Sequence, residues 1–451
     1  MQILSIKNKQ ERQDIRMRIL LQNALVVDQG GNYKNHTDIT IKDGLIAEIT
    51  DYRGIEKKAE YDEVIDCSHY VVTPGLPNLH AHTAMNIFKG IAEDVNAVSW
   101  FNDFIWPYES KMISEDVYLG TLLGIAEMLN NGVTSVCDHY FEEEQVLKAV
   151  IETGIRADIA PTLFGSAENY TNRLKEVCTF IEKNRDISDR VQLRMGPHAP
   201  YTCPQSTLVE IIKEAKRLNT GIHIHVSEQE AQVAASKRQF GKTPFEQIAD
   251  AGGFEIPCIV AHGIWLEDQD LQFINENTWF ALCPKTYMKT ASGEGNIFRL
   301  RDKVQYSFGT DGAASSNTLN PLEQARLFAL IGKYSGNDAE KFIAKEIWQA
   351  LMNGHKAMNF KSGRIEEGWN ADLVIWDLNR PNTFPIYDPV SAILYSSDSS
   401  NISYTMVGGT FLKKKGMLIV NQLELLSKIK IAQGELLKRG KGKAIVEYTS
   451  E

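Results

Sequence analysis

The spacing of apolar positions changes character twice along this chain. Residues 19–28 form an apolar-rich run closed by Gln29-Gly30-Gly31, and residues 37–42 and 45–50 flank Asp43-Gly44, a two-residue hairpin signal. The opening segment is therefore expected to be β-rich with short loops. Residues 1–16 carry no periodic pattern and read as an extension. From Pro74 onward, short apolar runs alternate with longer amphipathic stretches. Strands are expected over 133–140, 155–163, 191–197, 221–226, 258–262, 278–283 and 305–310, with helices such as 117–130, 145–152, 206–218 and 244–252 between them. Together with the run ending at His82, these make eight β/α units, the count of a closed parallel barrel.

After Phe360 the β texture returns in 365–368, 371–376 and 403–407, before a Leu-, Lys- and Glu-rich helix over 421–439. The expected fold class is α/β: a (β/α)8 TIM barrel with a small composite β-sandwich domain built from both chain ends. The expected boundaries are 1–72 and 362–420 for the sandwich, 73–361 for the barrel and 421–451 for a C-terminal helical segment. The chain shows no internal repeat and no low-complexity tract.

Composition narrows the function classes. At 451 residues, 43% hydrophobic and 24% charged, the chain reads as a soluble globular protein long enough for a barrel with a satellite domain. Its 58 acidic against 48 basic residues give a net charge of -10, which argues against nucleic acid as a partner. Residues 1–16 lack the apolar core of a signal peptide, and no later run reaches the roughly 18 apolar residues of a spanning helix, so no membrane association is expected. The six cysteines are widely spaced with no Cys-x-x-Cys, a pattern suited to reduced thiols and a cytoplasmic location. Apolar faces would permit a homo-oligomer without requiring one.

The candidate chemistry lies at strand ends, where a β/α barrel places its active site. His80 and His82 end the stretch that begins Pro74-Gly75-Leu76-Pro77, and at i and i+2 on an extended backbone they point to the same side. The fifth strand reads Ile222-His223-Ile224-His225, followed by Glu228; the sixth ends Ala261-His262, and the eighth ends Thr310-Asp311-Gly312. Buried histidines and aspartates without partners are costly, so four strand ends bearing them point to a shared divalent ion.

The motifs His80-Ala81-His82, Gly196-Pro197-His198-Ala199-Pro200-Tyr201, His225 with Glu228, Ala261-His262, and Gly309-Thr310-Asp311-Gly312-Ala313-Ala314-Ser315-Ser316-Asn317 resemble the mononuclear deaminase branch of the amidohydrolase superfamily. More narrowly they are similar to methylthioadenosine/S-adenosylhomocysteine deaminases, and triazine chlorohydrolases share much of the pattern. The resemblance runs from about residue 17 to residue 420. It implies His80, His82, His225 and Asp311 as ligands of one divalent metal, zinc before iron, and it leaves His223 as a core residue. No lysine stands near the fourth strand to bridge a second metal.

The same resemblance implies an enzyme that hydrolyses a C–N bond of a purine-like or related nitrogen heterocycle, a methylthioadenosine- or adenosine-type nucleoside, and releases ammonia. Asp311 would take the proton of the attacking water, Glu228 would protonate the ring nitrogen, and His262 would hold the attacking oxygen. Among substrate-binding candidates, Glu109 falls where the family binds ribose hydroxyls, His198 where it binds the purine, and Arg173 where it binds an amino-acid tail. Trp100, Phe101, Phe104 and Trp106 would wall a flat ring, and Tyr287 with Lys285 would alter the pocket. His139 reads as structural. A second tail-binding arginine is missing where the chain has Ala160-Pro161-Thr162, which argues against S-adenosylhomocysteine. The alternatives are a triazine-type hydrolase that removes chloride or an amine from a heteroaromatic ring, and a non-catalytic barrel that would lack ligands.

Overall fold

The computed structural model describes residues 17–54 and 60–444; the expected extension 1–16 and the last residues of the C-terminal segment, 445–451, lie outside them. The β-rich segments from the two ends of the chain meet in one nine-stranded sheet. Arg18–Val27 pairs antiparallel with Tyr33–Lys42, which pairs in turn with Leu45–Asp51 across the Asp43-Gly44 turn. The two halves join where Val71–Pro74 pairs antiparallel with Leu373–Trp376, which continues into Ile402–Val407. One face of the sheet buries Ile19, Leu21, Ile39, Ile41, Val72, Ile375 and Met406 in a core of its own.

The remaining strands are parallel and stand in two sheets. One contains Leu76–His82, Val133–Tyr140, Arg156–Leu163, Val191–Leu193, Gly196–Pro197 and Asp311–Gly312; the other runs Ile222–Val226, Cys258–His262, Thr278–Leu282, Gln305–Phe308. Backbone hydrogen bonds cross between the sheets on one side, and the chain itself crosses on the other. His223 N–H donates to Met195 O at 2.9 Å and His225 N–H to His198 O at 3.0 Å on one side. On the other, the chain passes from Gln305–Phe308 in the second sheet to Asp311–Gly312 in the first: Gly309 N–H still donates to Leu282 O at 2.9 Å, and Thr310 N–H already donates to His80 O at 2.8 Å.

The strands are buried nearly throughout, as parallel strands covered by helices must be. Expected strand positions agree with the observed ones to within a residue or two, except that the fourth and eighth are each broken in two. The fourth breaks at Arg194, whose guanidinium turns into the interior and donates through Nε to both carboxylate oxygens of Asp158 at 2.9 and 2.8 Å. Among the described residues no helix is long and apolar enough to cross a membrane, and all six cysteines are free and buried.

Candidate active site

Strand ends deliver the site. On Leu76–His82 the alternation of an extended chain puts His80 and His82 on one side, and Ile222–Val226 does the same for His223 and His225. His82 Nε2 lies 3.1 Å from His225 Nε2 and 3.4 Å from Asp311 Oδ1, and His80 Nε2 lies 3.6 Å from the same oxygen. The ligand atoms of His80, His82 and His225 fall within 4.8 Å of one another, as do those of His80, His262 and Asp311.

Each imidazole is oriented through its other nitrogen. His82 Nδ1 donates to His139 O at 2.6 Å and His225 Nδ1 to His198 O at 2.8 Å, which leaves both Nε2 atoms bare and facing the centre. His80 Nδ1 pairs with His223 Nε2 at 2.9 Å, and His223 Nδ1 with Cys137 Sγ at 3.1 Å. Asp311 Oδ2 accepts from Ser315 Oγ at 2.6 Å and Thr286 Oγ1 at 3.1 Å, so Oδ1 is the oxygen turned to the imidazoles.

Whether these residues fit a metal is decided by His80 Nε2, a buried nitrogen with no hydrogen-bond partner. An unpartnered polar atom inside a protein is costly, and a divalent ion is the partner that three neutral imidazoles and a carboxylate together suit. Protonation agrees. Burial pushes His80 down to about 3 and His225 well below its ordinary value, so both are neutral. Burial opposes the charge on Asp311, yet the neighbouring imidazoles of His80, His82 and His262 hold its carboxyl well below 3.8. Two residues of the site also have unusual backbone conformations: His262 and Asp311 adopt the left-handed region at φ 68° and 58°.

The cluster forms the floor of a cavity of about 300 Å³ whose wall includes Glu109, His198, Glu228, His262 and Asp311. Glu228 Oε2 lies 3.9 Å from His262 Nε2. Burial raises the Glu228 pKa, and the Asp311 charge adds to that rise. His198 is pushed down to about 3 by burial, and its Nδ1 pairs with Thr202 Oγ1 at 2.9 Å. Burial also raises Glu109, whose Oε1 accepts from Tyr140 O–H at 2.8 Å. Trp100, Phe101 and Trp106 form an aromatic wall, with Phe101 and Trp106 stacked at 5.8 Å between centroids.

Several sequence-derived candidates stand elsewhere. Arg173 does not reach the cavity: both Nη atoms donate to the Glu143 carboxylate, at 2.9 and 2.6 Å, so its charge is spent on a neighbouring helix. The Tyr287 hydroxyl accepts from Cys283 N–H at 2.8 Å, and its ring packs edge-on against His262 outside the cavity lining. Lys285 is tied to Glu323 at 2.9 Å and Thr318 at 3.0 Å. The short helix Pro284–Lys289 turns these two side chains away and aims Thr286 at the cavity. Phe104 belongs to the core rather than to the aromatic wall. His139, expected to be structural, lines the cavity while its carbonyl orients His82. Ser315, within the Gly309–Asn317 motif, also lines it, as do Thr286, Thr290 and Gln232, which nothing local in the sequence distinguishes from other polar residues.

Comparison with known proteins agrees with this geometry. Residues 71–412 match the amidohydrolase family. The chain is 34% identical over 429 residues to the 5-methylthioadenosine/S-adenosylhomocysteine deaminase of Dictyoglomus turgidum, covering 94% of this chain and 100% of that one. The chain belongs to the amidohydrolase family. Another relative is the 5'-deoxyadenosine deaminase of Methanosarcina mazei, 34% identical over 431 residues, or 93% of this chain and 99% of that protein. Among solved amidohydrolase-like folds, an adenosine deaminase from Xanthomonas campestris with bound zinc superposes with a TM-score of 0.88 at 24% identity, covering 93% of this chain and 98% of that one. Atrazine chlorohydrolase from Arthrobacter aurescens TC1, complexed with zinc, gives 0.84 at 19% identity over 92% and 100%. At those identities the two structures speak for the fold alone.

Proposed function

We propose that this amidohydrolase is a metal-dependent hydrolytic deaminase of an adenosine-type nucleoside, of the methylthioadenosine or 5'-deoxyadenosine class, releasing ammonia. Glu228 carries the reading: a buried carboxyl with a raised pKa, in the same cavity as the histidine cluster and 3.9 Å from His262. Expelling ammonia from a ring carbon requires proton delivery, and a buried carboxyl whose pKa is raised is better suited to give a proton than a solvated one. Removal of chloride needs such a donor less, because chloride leaves without a proton. Relatives named as deaminases, identical at about a third of positions over nearly the whole chain, support the same choice.

His80, His82, His225 and Asp311 would hold the ion, zinc in our reading with iron as the other candidate. When bound, the ion supplies a water of lowered pKa as nucleophile. Asp311 accepts the water proton through Oδ1, the oxygen that Ser315 and Thr286 leave free. Glu228 protonates the ring nitrogen beside the attacked carbon, His262 donates to the attacking oxygen, and the proton taken up by Asp311 passes to the amino group as its C–N bond breaks and ammonia leaves. His198, neutral and at the cavity wall, hydrogen-bonds the purine; Glu109 accepts from the ribose hydroxyls through the oxygen that Tyr140 does not occupy. Trp106 stacks at the mouth. In this reading the parallel strands close into a single (β/α)8 barrel over residues 73–361, supported by the hydrogen bonds that join its two sheets on one side and by the chain at 309–310 that passes between them on the other. The nine-stranded sheet is read as a sandwich from 1–72 and 362–420, folded round its separate core. Six free, buried cysteines support a cytoplasmic location.

The deciding experiment loads the purified protein with zinc and measures ammonia release from methylthioadenosine, 5'-deoxyadenosine, adenosine, S-adenosylhomocysteine and an aminotriazine. Chloride release from a chlorotriazine is followed in parallel. Turnover of the small nucleosides is expected. Chloride or amine release from a triazine, with every nucleoside inert, would overturn the proposal.

A further inference from the structure

The cavity has a cap that the barrel alone does not hold. Residues 97–109 run through Ala97–Ser99, the π-helical turn Trp100–Ile105 and Trp106–Glu109. This one segment supplies Ala97, Trp100, Phe101, Ile105, Trp106 and Glu109 to the cavity wall. Its pieces are too short to be stable by themselves, since isolated helices below about 12–15 residues are marginal in water. A π-turn in particular is strained relative to regular helix.

The support comes from the far end of the chain. Helix Gln422–Arg439 buries Leu425, Ile429, Ala432 and Leu436, and Arg439 at its end pairs with Asp116. Residues 440–444 then pass behind the cap. Tyr108, 4% exposed, points away from the cavity; its O–H donates to Gly442 O at 2.8 Å and accepts from Ala444 N–H at 3.3 Å. Lys443 N–H donates to Asp103 O at 2.8 Å, fastening the π-turn itself. Gly440 and Gly442 lie directly on the Tyr108 ring: a Cβ on Gly440 would stand 2.2 Å from Tyr108 Cδ1, and one on Gly442 2.4 Å from Tyr108 Cε2. Adjacent helical residues face different directions, so the ring held from behind is next to the Glu109 carboxylate presented in front.

We propose that residues 440–444 are a strap that sets the position of Glu109 and the aromatic wall, making this segment a determinant of nucleoside recognition while the chemistry stays with the barrel. The strap lies beyond the family-matched region, 71–412, so family membership assigns it no role. The inference rests on the nucleoside reading only for the identity of the ligand. Tyr108, Gly440 and Gly442 act as positioning residues through the cap, touching neither the metal cluster nor Glu228.

The test compares the full-length, zinc-loaded protein with Gly442→Val, which forces the strap off the Tyr108 ring, and Tyr108→Phe, which removes both hydroxyl contacts and keeps the ring. For Gly442→Val, KM for methylthioadenosine should rise about tenfold with kcat and zinc content held. Amide hydrogen exchange over 97–109 should accelerate, and Tyr108→Phe should show a smaller shift of the same kind. Unchanged KM and unchanged exchange in Gly442→Val would overturn the strap. So would parallel loss of kcat and zinc, which would make the segment a general support of the fold. If the parent itself deaminates no nucleoside, the functional reading fails, and exchange over 97–109 alone still decides whether the strap holds the cap.

Discussion

His223→Phe replaces a buried imidazole that touches no substrate-facing surface, yet it should weaken zinc binding strongly. For His80 to offer a bare Nε2, its proton must sit on Nδ1, and the acceptor there is His223 Nε2 at 2.9 Å. That proton placement in turn requires His223 to carry its own proton on Nδ1, facing Cys137 Sγ at 3.1 Å. Phenylalanine fills the volume but accepts nothing, leaving His80 Nδ1–H buried and unpaired, a cost of about 1–3 kcal/mol. The cost falls on the metal-bound state, because without metal His80 can move its proton to Nε2, 3.6 Å from Asp311. Zinc affinity should therefore fall about ten- to hundredfold. The assay is competition between the metal-free protein and a chelator of known affinity, with thermal melting of both metal-free proteins as the control for folding. His223→Gln, which keeps an oxygen or nitrogen near the Nε2 position, should recover much of the loss. A folded His223→Phe protein that binds zinc within about twofold of the parent would refute the tautomer argument.

Glu228→Gln should keep its metal and lose about 10²–10⁴-fold in kcat, measured as ammonia release alongside metal content; equal activity would remove the proton-donor role. Asp372→Ala should destabilise the protein by about 3–5 kcal/mol in urea unfolding, because it strands the buried Arg156 guanidinium, now 2.6 Å from that carboxylate. The same pair sets an acid dependence. Burial alone would raise the Asp372 pKa, but Arg156, Ser362 and the Gly408 N–H hold it below 3.8. Its stabilisation is thus complete above that value and is lost as pH falls through the lowered pKa, seen as an acid-side drop in Tm that Asp372→Ala should flatten. Methylthioadenosine should exceed S-adenosylhomocysteine in kcat/KM by about tenfold or more, since the tail of the latter meets no cation in the cavity; equal values would count against the Arg173 placement.

Much of the metal floor was legible in the sequence because strand periodicity is strict: His80 with His82, and His223 with His225, can only share a face. Burial and the barrel rule then bring Glu228, His262 and Asp311 to the same end. What escaped was whatever depends on partners distant in sequence. Arg173 looks available until Glu143 closes on it. Tyr287 and Lys285 look like pocket residues until the helix that begins at Pro284 turns them away from the cavity, Tyr287 into the core beside His262 and Lys285 toward Glu323. The cap shows aromatic residues without a helical period, and the residues packed behind it stand more than 300 positions later, while His223 passes for core because its role depends on which nitrogen His80 must expose.

The charges in and around the cavity point to one kind of ligand. Among the described residues no lysine or arginine lines it, while Glu109, Glu228 and Asp311 do. Arg173, the cation that the family resemblance would assign to an amino-acid tail, is already paired with both oxygens of Glu143, and freeing it would strand that carboxylate, which is 7% exposed. An anionic or zwitterionic substituent would therefore enter an acidic, apolar-walled site without a counter-charge, at the cost of its own hydration. An uncharged sugar with an apolar 5' group has the opposite balance: in the proposed reading its hydroxyls would meet Glu109, its base would meet His198 and Glu228, and Trp100, Phe101 and Trp106 would give its apolar parts an aromatic wall. Selection among nucleosides by this arrangement falls to the cap and what holds it, and discrimination at the ring falls to the residues fixed on the strands.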